Sequence, residues 1–283
     1  MEYVFCDRVH DVPELRDSFN ALTRKVFGFD FAAWNAEGLW TERYCPHALV
    51  LDGRVVANVS VNRLRFQTFG REIALCQLGT VMTDPDFRGR GLAGRLMREV
   101  LSRLPEDVYL FANDSVLDFY PRFGFRKGTE RQCVRAVEPA KAQAARPFDP
   151  MRPENRARLE RLLRLPRPGE AMSLLDNPQL YLFYLLGPMQ DCLYEMPGQA
   201  GLAVVEREGD VLTLHALLSD RSPEWAAGCF AGVRVLRLGY TPADAAGFAC
   251  ETYQEEDTTL FYRGHTVEEL LSRGAMFPTL SHA

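Results

Sequence analysis

The stretch QLGTVMTDPDFRGRGLAGR, residues 77–95, decides how this chain is read. It begins with the alternation of a strand, passes through Asp84–Pro85 and tightens into an Arg/Gly loop. It then opens a helix in which Leu92, Leu96, Val100 and Leu104 recur every fourth residue, with Ala93, Met97 and Leu101 beside them. A strand, a glycine loop and a helix N-terminus in that order predict an anion site. Free backbone N–H groups and the positive end of the helix dipole face whatever occupies it. Gly89, Gly91, Ala93 and Gly94 keep bulk away from the backbone, and Arg88, Arg90 and Arg95 add positive charge. Two common phosphate loops are excluded. GxxxxGK[ST] is absent, and the glycine spacing is not GxGxxG with an acidic residue suitably downstream.

The chain has 283 residues, enough for one large or two ordinary domains. It is 47% apolar and 25% charged, the balance of a soluble globular protein. A formal charge of -5 argues against nucleic acid as a partner. No apolar run approaches the roughly 20 residues of a membrane span, and the N-terminus MEYVFCDRVHD is acidic and polar too early for a signal peptide. The seven cysteines are odd in number and scattered, without CxxC, which predicts reduced thiols in a cytoplasmic protein. The five histidines show no ligand spacing with cysteines or carboxylates, so no metal is expected.

Residues 2–9 read as a strand and 13–27 as a helix with Leu15, Phe19, Leu22 and Val26 on one face. The segment 27–44 is aromatic (Phe27, Phe29, Phe31, Trp34, Trp40, Tyr44) and carries Asp30, Glu37 and Glu42, with a short helix expected near 31–36. Most of these rings are expected to pack on the sheet. Residues 48–51 and 55–66 flank Asp52–Gly53 as a hairpin, and a turn at Phe69–Gly70 leads to the strand 72–83. After the loop helix, the run Val108–Ala112 suits a buried parallel strand. Ser115 and Asp118 then signal a short helix ended by Pro121, and Gly124 feeds a strand from Phe125 to about Ala136.

Two motifs in this order, Arg88–Gly89–Arg90–Gly91–Leu92–Ala93 and Asn113 followed by Phe119–Tyr120–Pro121–Arg122–Phe123–Gly124–Phe125, resemble those of the GCN5-related N-acetyltransferases, the GNAT superfamily. The resemblance covers residues 1 to about 137. The Tyr-x-Arg-Phe-Gly-Phe form also resembles the Eis-type aminoglycoside and polyamine acetyltransferases. It implies acetyl-CoA as co-substrate and an α/β fold with a mixed sheet. Val81, Met82 and Thr83 would bind acetyl and pantetheine through their backbone, with the Val81 N–H as oxyanion contact. Arg88, Gly89, Arg90, Gly91, Leu92, Ala93, Gly94 and Arg95 would take the pyrophosphate, and Asn113 the pantetheine amide. Tyr120 would be the general acid that protonates the departing thiolate. The acceptor, a primary amine of a small molecule, would be walled by the 27–44 segment, with Phe31, Trp34, Trp40 and Glu42 as candidates. Acidic residues there lean toward a cationic acceptor. The general base is open among Asp84, Glu42, His47 and water. By the same resemblance, the terminal carboxylate of Ala283, or His282, would reach the active site near Tyr120, against a plainer expectation that the tail packs on the second half.

Residues 138–150, Ala/Pro-rich and aperiodic, read as a linker between a catalytic domain over 1–137 and a second domain over 151–283. Helices are expected at 153–165, 179–186, 223–230 and 267–271, and strands at 192–196, 201–206, 211–218, 233–238 and 258–263. That order repeats the first half, but the place of the glycine loop is taken by Ser219–Asp220–Arg221–Ser222–Pro223–Glu224–Trp225. A degenerate GNAT-like repeat without CoA binding is expected. Eis-type enzymes carry a third, sterol-carrier-like domain, for which this chain is too short. Two other readings of the whole are an acyl-CoA-binding sensor with little turnover and a transferase of longer acyl groups.

Overall fold

The computed structural model describes residues 2–282. Strand β1 (Val4–Cys6) precedes helix α1 (Pro13–Phe27), which Pro13 starts and Gly28 ends in the left-handed conformation. A one-turn helix α2 (Ala32–Ala36) follows, then β2 (Tyr44–Leu51), β3 (Arg54–Thr68) and β4 (Arg71–Thr83). Asp52–Gly53 and Phe69–Gly70 make both hairpin turns with positive φ at both positions, as two-residue turns matched to strand twist require. Helix α3 (Leu92–Leu101) crosses to β5 (Val108–Ala112), and two-residue β6 (Arg126–Lys127) and β7 (Arg131–Ala136) come next.

The second half runs β8 (Arg146–Pro147), α4 (Pro153–Leu163), β9 (Met172–Leu175), α5 (Pro178–Leu185), β10 (Leu193–Glu195), β11 (Leu202–Glu208), β12 (Val211–Leu218), α6 (Pro223–Ala227), β13 (Val235–Leu238), β14 (Ala249–Thr252), β15 (Thr259–Arg263) and α7 (His265–Ser272).

Two sheets result, and their orders match strand for strand. The first is β1-β2-β3-β4-β5-β15-β6, with β9 added on β3; the second, read from its other end, is β8-β10-β11-β12-β13-β7-β14. In each, three antiparallel strands lead to a parallel pair, β4/β5 or β12/β13, joined across a helix, α3 or α6. The second half therefore repeats the architecture of the first, as its element order predicts. The fold is α/β with mixed sheets, as expected.

The sequence expectation fails at the seam. The strand expected over 125–136 is two strands in different sheets. β7 pairs with β13, whereas the strand beside β5 is β15, more than a hundred residues later. Each half thus completes the other's sheet. The stretch 138–150 is not a free linker: β8 pairs with β10, and Ala145 and Phe148 are buried. Ser115–Asp118 starts no α-helix. Two 3-10 turns, Asp114–Val116 and Tyr120–Phe123, occupy that stretch, since Pro121 cannot join a continuing ladder.

β5 is the hinge of the core. Val108, Leu110 and Ala112 pack on the α3 side with Leu96, Met97 and Val100; Tyr109 faces the other way. The closing residues 275–282 run along that other face. Phe277 stacks on Tyr109 at 4.1 Å and meets Phe66 edge-on at 6.0 Å, while Thr279 N–H donates to Gly239 O at 2.9 Å. The tail is thus wedged between the two sheets, rather than resting on the second half alone.

Candidate functional site

The Arg/Gly loop is built to leave donors open. Asp84 caps a 3-10 turn over Pro85–Phe87 by accepting from Asp86 N–H at 3.0 Å. Gly89 (φ 76°) and Gly91 (φ 72°) then take left-handed backbone that side chains disfavour, with open space where a Cβ would stand. Gly91 is the N-cap of α3 and has no capping side chain, so the first-turn N–H groups of Leu92, Ala93 and Gly94 keep their dipole end open. Arg88, Arg90 and Arg95 are exposed around it. Arg90 lies over the Phe87 ring at 4.9 Å and donates to Asp86 O at 3.2 Å, and Arg95 donates to Tyr3 O at 3.2 Å.

Immediately upstream the sheet opens. β4 pairs with β5 only over Cys76–Leu78, then runs on to Thr83 against β3 alone. At the opening a β-bulge sets Thr80 and Val81 opposite the single residue Val59. Thr80 has φ 41°, unusual for a β-branched residue. A buried polar network holds it there. Asn58 Nδ2 donates to Thr80 O at 3.0 Å, Ser60 Oγ lies 2.6 Å from Thr80 Oγ1, and Tyr44 Oη lies 3.0 Å from the same oxygen. Burial pushes the Tyr44 phenol up to about 12, so it stays a hydroxyl. Thr83 Oγ1 is buried with no partner among the described residues.

Tyr120 is 5% exposed and packs on the α3 side with Phe119, Phe125 and Phe261, at ring distances of 5.2, 6.1 and 5.5 Å. Desolvation raises its phenol to about 12. Asn113 is exposed and already held: its Nδ2 donates to Asp257 Oδ2 at 2.7 Å, and Asp257 Oδ1 accepts from Asp114 N–H at 2.7 Å. The Asn113 amide is therefore shared with a carboxylate from the second half, which sequence spacing did not predict.

On the opposite face of the bulge lies a cavity of about 550 Å³. Phe31, Trp34, Tyr44 and Thr80 line it from the first half; Leu182, Phe183 and Tyr184 of α5 line it from the second. Trp34 Nε1–H donates to Gln179 O at 3.1 Å and ties the two halves together at its rim. Of the residues the sequence offered for the acceptor, Phe31 and Trp34 line this cavity. Trp40 and Glu42 do not line this cavity. Trp40 packs behind it, stacked on Trp34 at 6.0 Å with its indole N–H on Tyr44 O at 2.9 Å, and Glu42 is exposed to solvent. Phe183 and Tyr184 were not anticipated; their helix lies some 140 residues from Tyr44, and only the run Tyr181–Leu186 hinted at a buried face.

Residues 13–128 match the family model described as an acetyltransferase (GNAT) domain. Over this segment the chain is similar to a GNAT acetyltransferase domain. No curated protein matches the chain. Among solved structures, the chain is similar to a conserved protein of Enterococcus faecalis described as a probable N-acyltransferase (TM-score 0.61, 13% identity, 92% of this chain and 72% of that one). It is similar to a GCN5-related N-acetyltransferase from Anabaena variabilis (TM-score 0.54, 13% identity, 92% and 72%). It is also similar to Eis1 from Mycobacterium abscessus (TM-score 0.53, 15% identity, 92% and 73%). These likenesses cover both halves and concern the fold.

Around the opened sheet, the candidate bases separate. Asp84 is buried and ion-paired with Lys25 at 2.6 Å and Arg54 at 3.5 Å. Although burial opposes it, these contacts hold its carboxyl below the usual range, which makes it an anchor of the loop and a weak base. His47 sits beside Phe5 at the β1/β2 edge with Nδ1 3.0 Å from Cys45 O, and burial lowers its pKa. Glu42 points to water. Neither meets the cavity. His282 stacks on Phe111 at 3.8 Å, on the face of β5 away from Tyr120, and its carbonyl accepts from Tyr184 Oη at 2.5 Å. Burial lowers its imidazole to about 3, so it is neutral. Ala283 lies outside the described residues.

The second half lacks the open helix end. Ser222 Oγ caps α6 by accepting from Trp225 N–H at 3.2 Å, and Glu224 in its first turn is ion-paired with Arg135 at 2.6 Å. The positions that stay open in α3 are filled in α6 by the chain itself.

Proposed function

We propose that the chain transfers the acetyl group of acetyl-CoA to the primary amine of a small molecule by direct attack on the thioester. The observation that carries this is the uncapped α3 N-terminus beside a sheet opened at β4/β5, with a buried phenol on one face and an aromatic cavity on the other. Acetyl-CoA supplies the activated thioester. The residues fit it: exposed glycines at positive φ, open helix donors, and the unpartnered Thr83 Oγ1 along the strand leading to them.

Arg88, Gly89, Arg90, Gly91, Leu92, Ala93, Gly94 and Arg95 hold the pyrophosphate in this reading, through helix N–H groups and guanidinium charge. The Val81 and Met82 backbone orients the acetyl end, and the Val81 N–H meets the charge that develops on the carbonyl oxygen. The amine enters from the cavity, approaching the opening past Thr80 and Tyr44. Tyr120, kept protonated by burial, gives its proton to the leaving sulfur. Asn113, steadied by Asp257, contacts the pantetheine arm. No side chain among Asp84, Glu42 and His47 suits the base, so the amine's proton leaves through water. A direct test is thiol release from acetyl-CoA by the purified chain across a panel of amines. Amine-dependent release supports the reading; release no faster with any amine than without one refutes it.

A further inference from the structure

We infer that the acceptor amine is carried on a bulky, apolar and aromatic body, and that α5 of the second half selects it. This rests on the transferase reading above for the amine, but on the cavity alone for the body that carries it.

The cavity is an aromatic box. Phe31 is the middle of its wall, packed with ring centroids of Tyr44 at 5.1 Å, Phe29 at 5.5 Å, Phe183 at 5.6 Å and Trp34 at 6.0 Å. Such walls favour flat apolar groups through edge and face contacts. Their faces also accept one ammonium on its way in. The acidic residues that suggested a cationic acceptor are neutralised. Asp30 is tied to Arg24 and accepts from Ala32 N–H at 2.8 Å, and Glu37 lies 3.6 Å from Arg156, which also donates to Glu160 at 2.6 Å. A polycation would shed water from several charges and find no free carboxylate on these walls. A single amine on an aryl body loses its charge for attack in any case, and its ring fills the box.

Apart from the ion-paired Asp30, Glu37 and Arg156, the wall's polar side chains meet at the sheet. Tyr44 Oη and Thr80 Oγ1, 3.0 Å apart, mark the bulge where the sheet opens. An arylalkylamine entering with its amine toward Thr80 therefore leaves its ring among Phe31, Trp34 and Phe183. Two of those rings come from the first half and one from α5, which gives the second half a role in selectivity although its own helix end is closed.

The test has two readouts on the full chain. Thiol release from acetyl-CoA is measured with 2-phenylethylamine and tryptamine against spermidine and kanamycin. Binding of 2-phenylethylamine and of spermidine is measured separately by calorimetry. The arylalkylamines should exceed the polycations by about tenfold or more in kcat/KM. Phe183, half-buried, can be shortened without emptying the core, and Phe183→Ala should raise KM for 2-phenylethylamine about tenfold while leaving kcat nearly unchanged. Polycations turned over as well as or better than arylalkylamines overturn the inference. So does faster turnover of octanoyl-CoA than acetyl-CoA that Phe183→Ala abolishes, since the box then holds the acyl chain. Saturable binding of 2-phenylethylamine without turnover supports the ligand class and removes the transferase reading. Absence of both overturns the inference.

Discussion

Tyr120→Phe removes one oxygen and almost nothing else. The ring keeps its contacts with Phe119, Phe125 and Phe261, and the hydroxyl makes no hydrogen bond to any described residue. The stability change should stay within about 1 kcal/mol. In the proposed role the chemical change is large. With the phenol near 12, only about one molecule in ten thousand is ionised at pH 8, so the acid is present throughout the working range. Losing a placed general acid costs about 10²–10⁴ in turnover, or roughly 3–5 kcal/mol in the barrier. The assay is steady-state thiol release, with acetyl-CoA affinity measured independently by calorimetry and folding by thermal melting. The expected result is a kcat lowered a hundredfold or more, with unchanged acetyl-CoA affinity and an unchanged melting temperature. The wild-type rate should also show no loss of acid up to pH 10, because burial moves that limb of the profile above the ordinary tyrosine range. A kcat within about threefold of wild type, on a folded variant that binds acetyl-CoA, refutes the assignment.

Two further outcomes follow from the packing. Glu130 is buried, accepts from Phe277 N–H at 2.7 Å, and is pushed up to about 8 by desolvation, from 4.5. A carboxyl raised in the folded state binds its proton there while the unfolded chain has lost it, so this stability is complete below pH 4.5 and gone above pH 8. The upper bound is about 5 kcal/mol. Melting temperatures from pH 5 to pH 9 should fall more steeply for wild type than for Glu130→Gln, and parallel curves would show that Glu130 ionises normally. The strand exchange makes a second claim. Residues 1–137 expressed alone lack β15, which leaves the buried strand β5 as a bare edge, so the fragment should aggregate and be rescued by co-expression with 138–283. A monomeric, folded fragment in gel filtration would contradict it.

The local features of this fold were legible in the sequence because they are fixed by neighbours in the chain. Pro13 and Gly28 bracket α1, Asp52–Gly53 and Phe69–Gly70 make the hairpins, and the fourfold apolar spacing after Gly91 gives α3. The open Arg/Gly loop before α3 was legible for the same reason. What the sequence hid is non-local. Nothing in Arg131–Ala136 or Thr259–Arg263 marks which sheet each will join, since an alternating strand fits either edge. The aromatic cavity hid likewise: part of its wall is α5, whose apolar run reads equally as core. Trp40 and Glu42 lie off the cavity wall, since aromatic and acidic density does not show which side chains face inward. Asp84, a plausible base by position, is disarmed by Lys25, which is 59 residues away in the chain.

In the proposed reading, one helix end in this two-sheet chain, that of α3, holds CoA. Calorimetric titration of CoA into the wild-type chain and into Gly91→Val tests it most directly. The space beside Gly91 is open, so valine meets no neighbour, but at φ 72° a β-branched residue forces the loop out of its left-handed turn. The expected result is one CoA per wild-type chain and an affinity at least about tenfold weaker in the variant. Two CoA per chain, none, or an unchanged affinity in a folded Gly91→Val would contradict it.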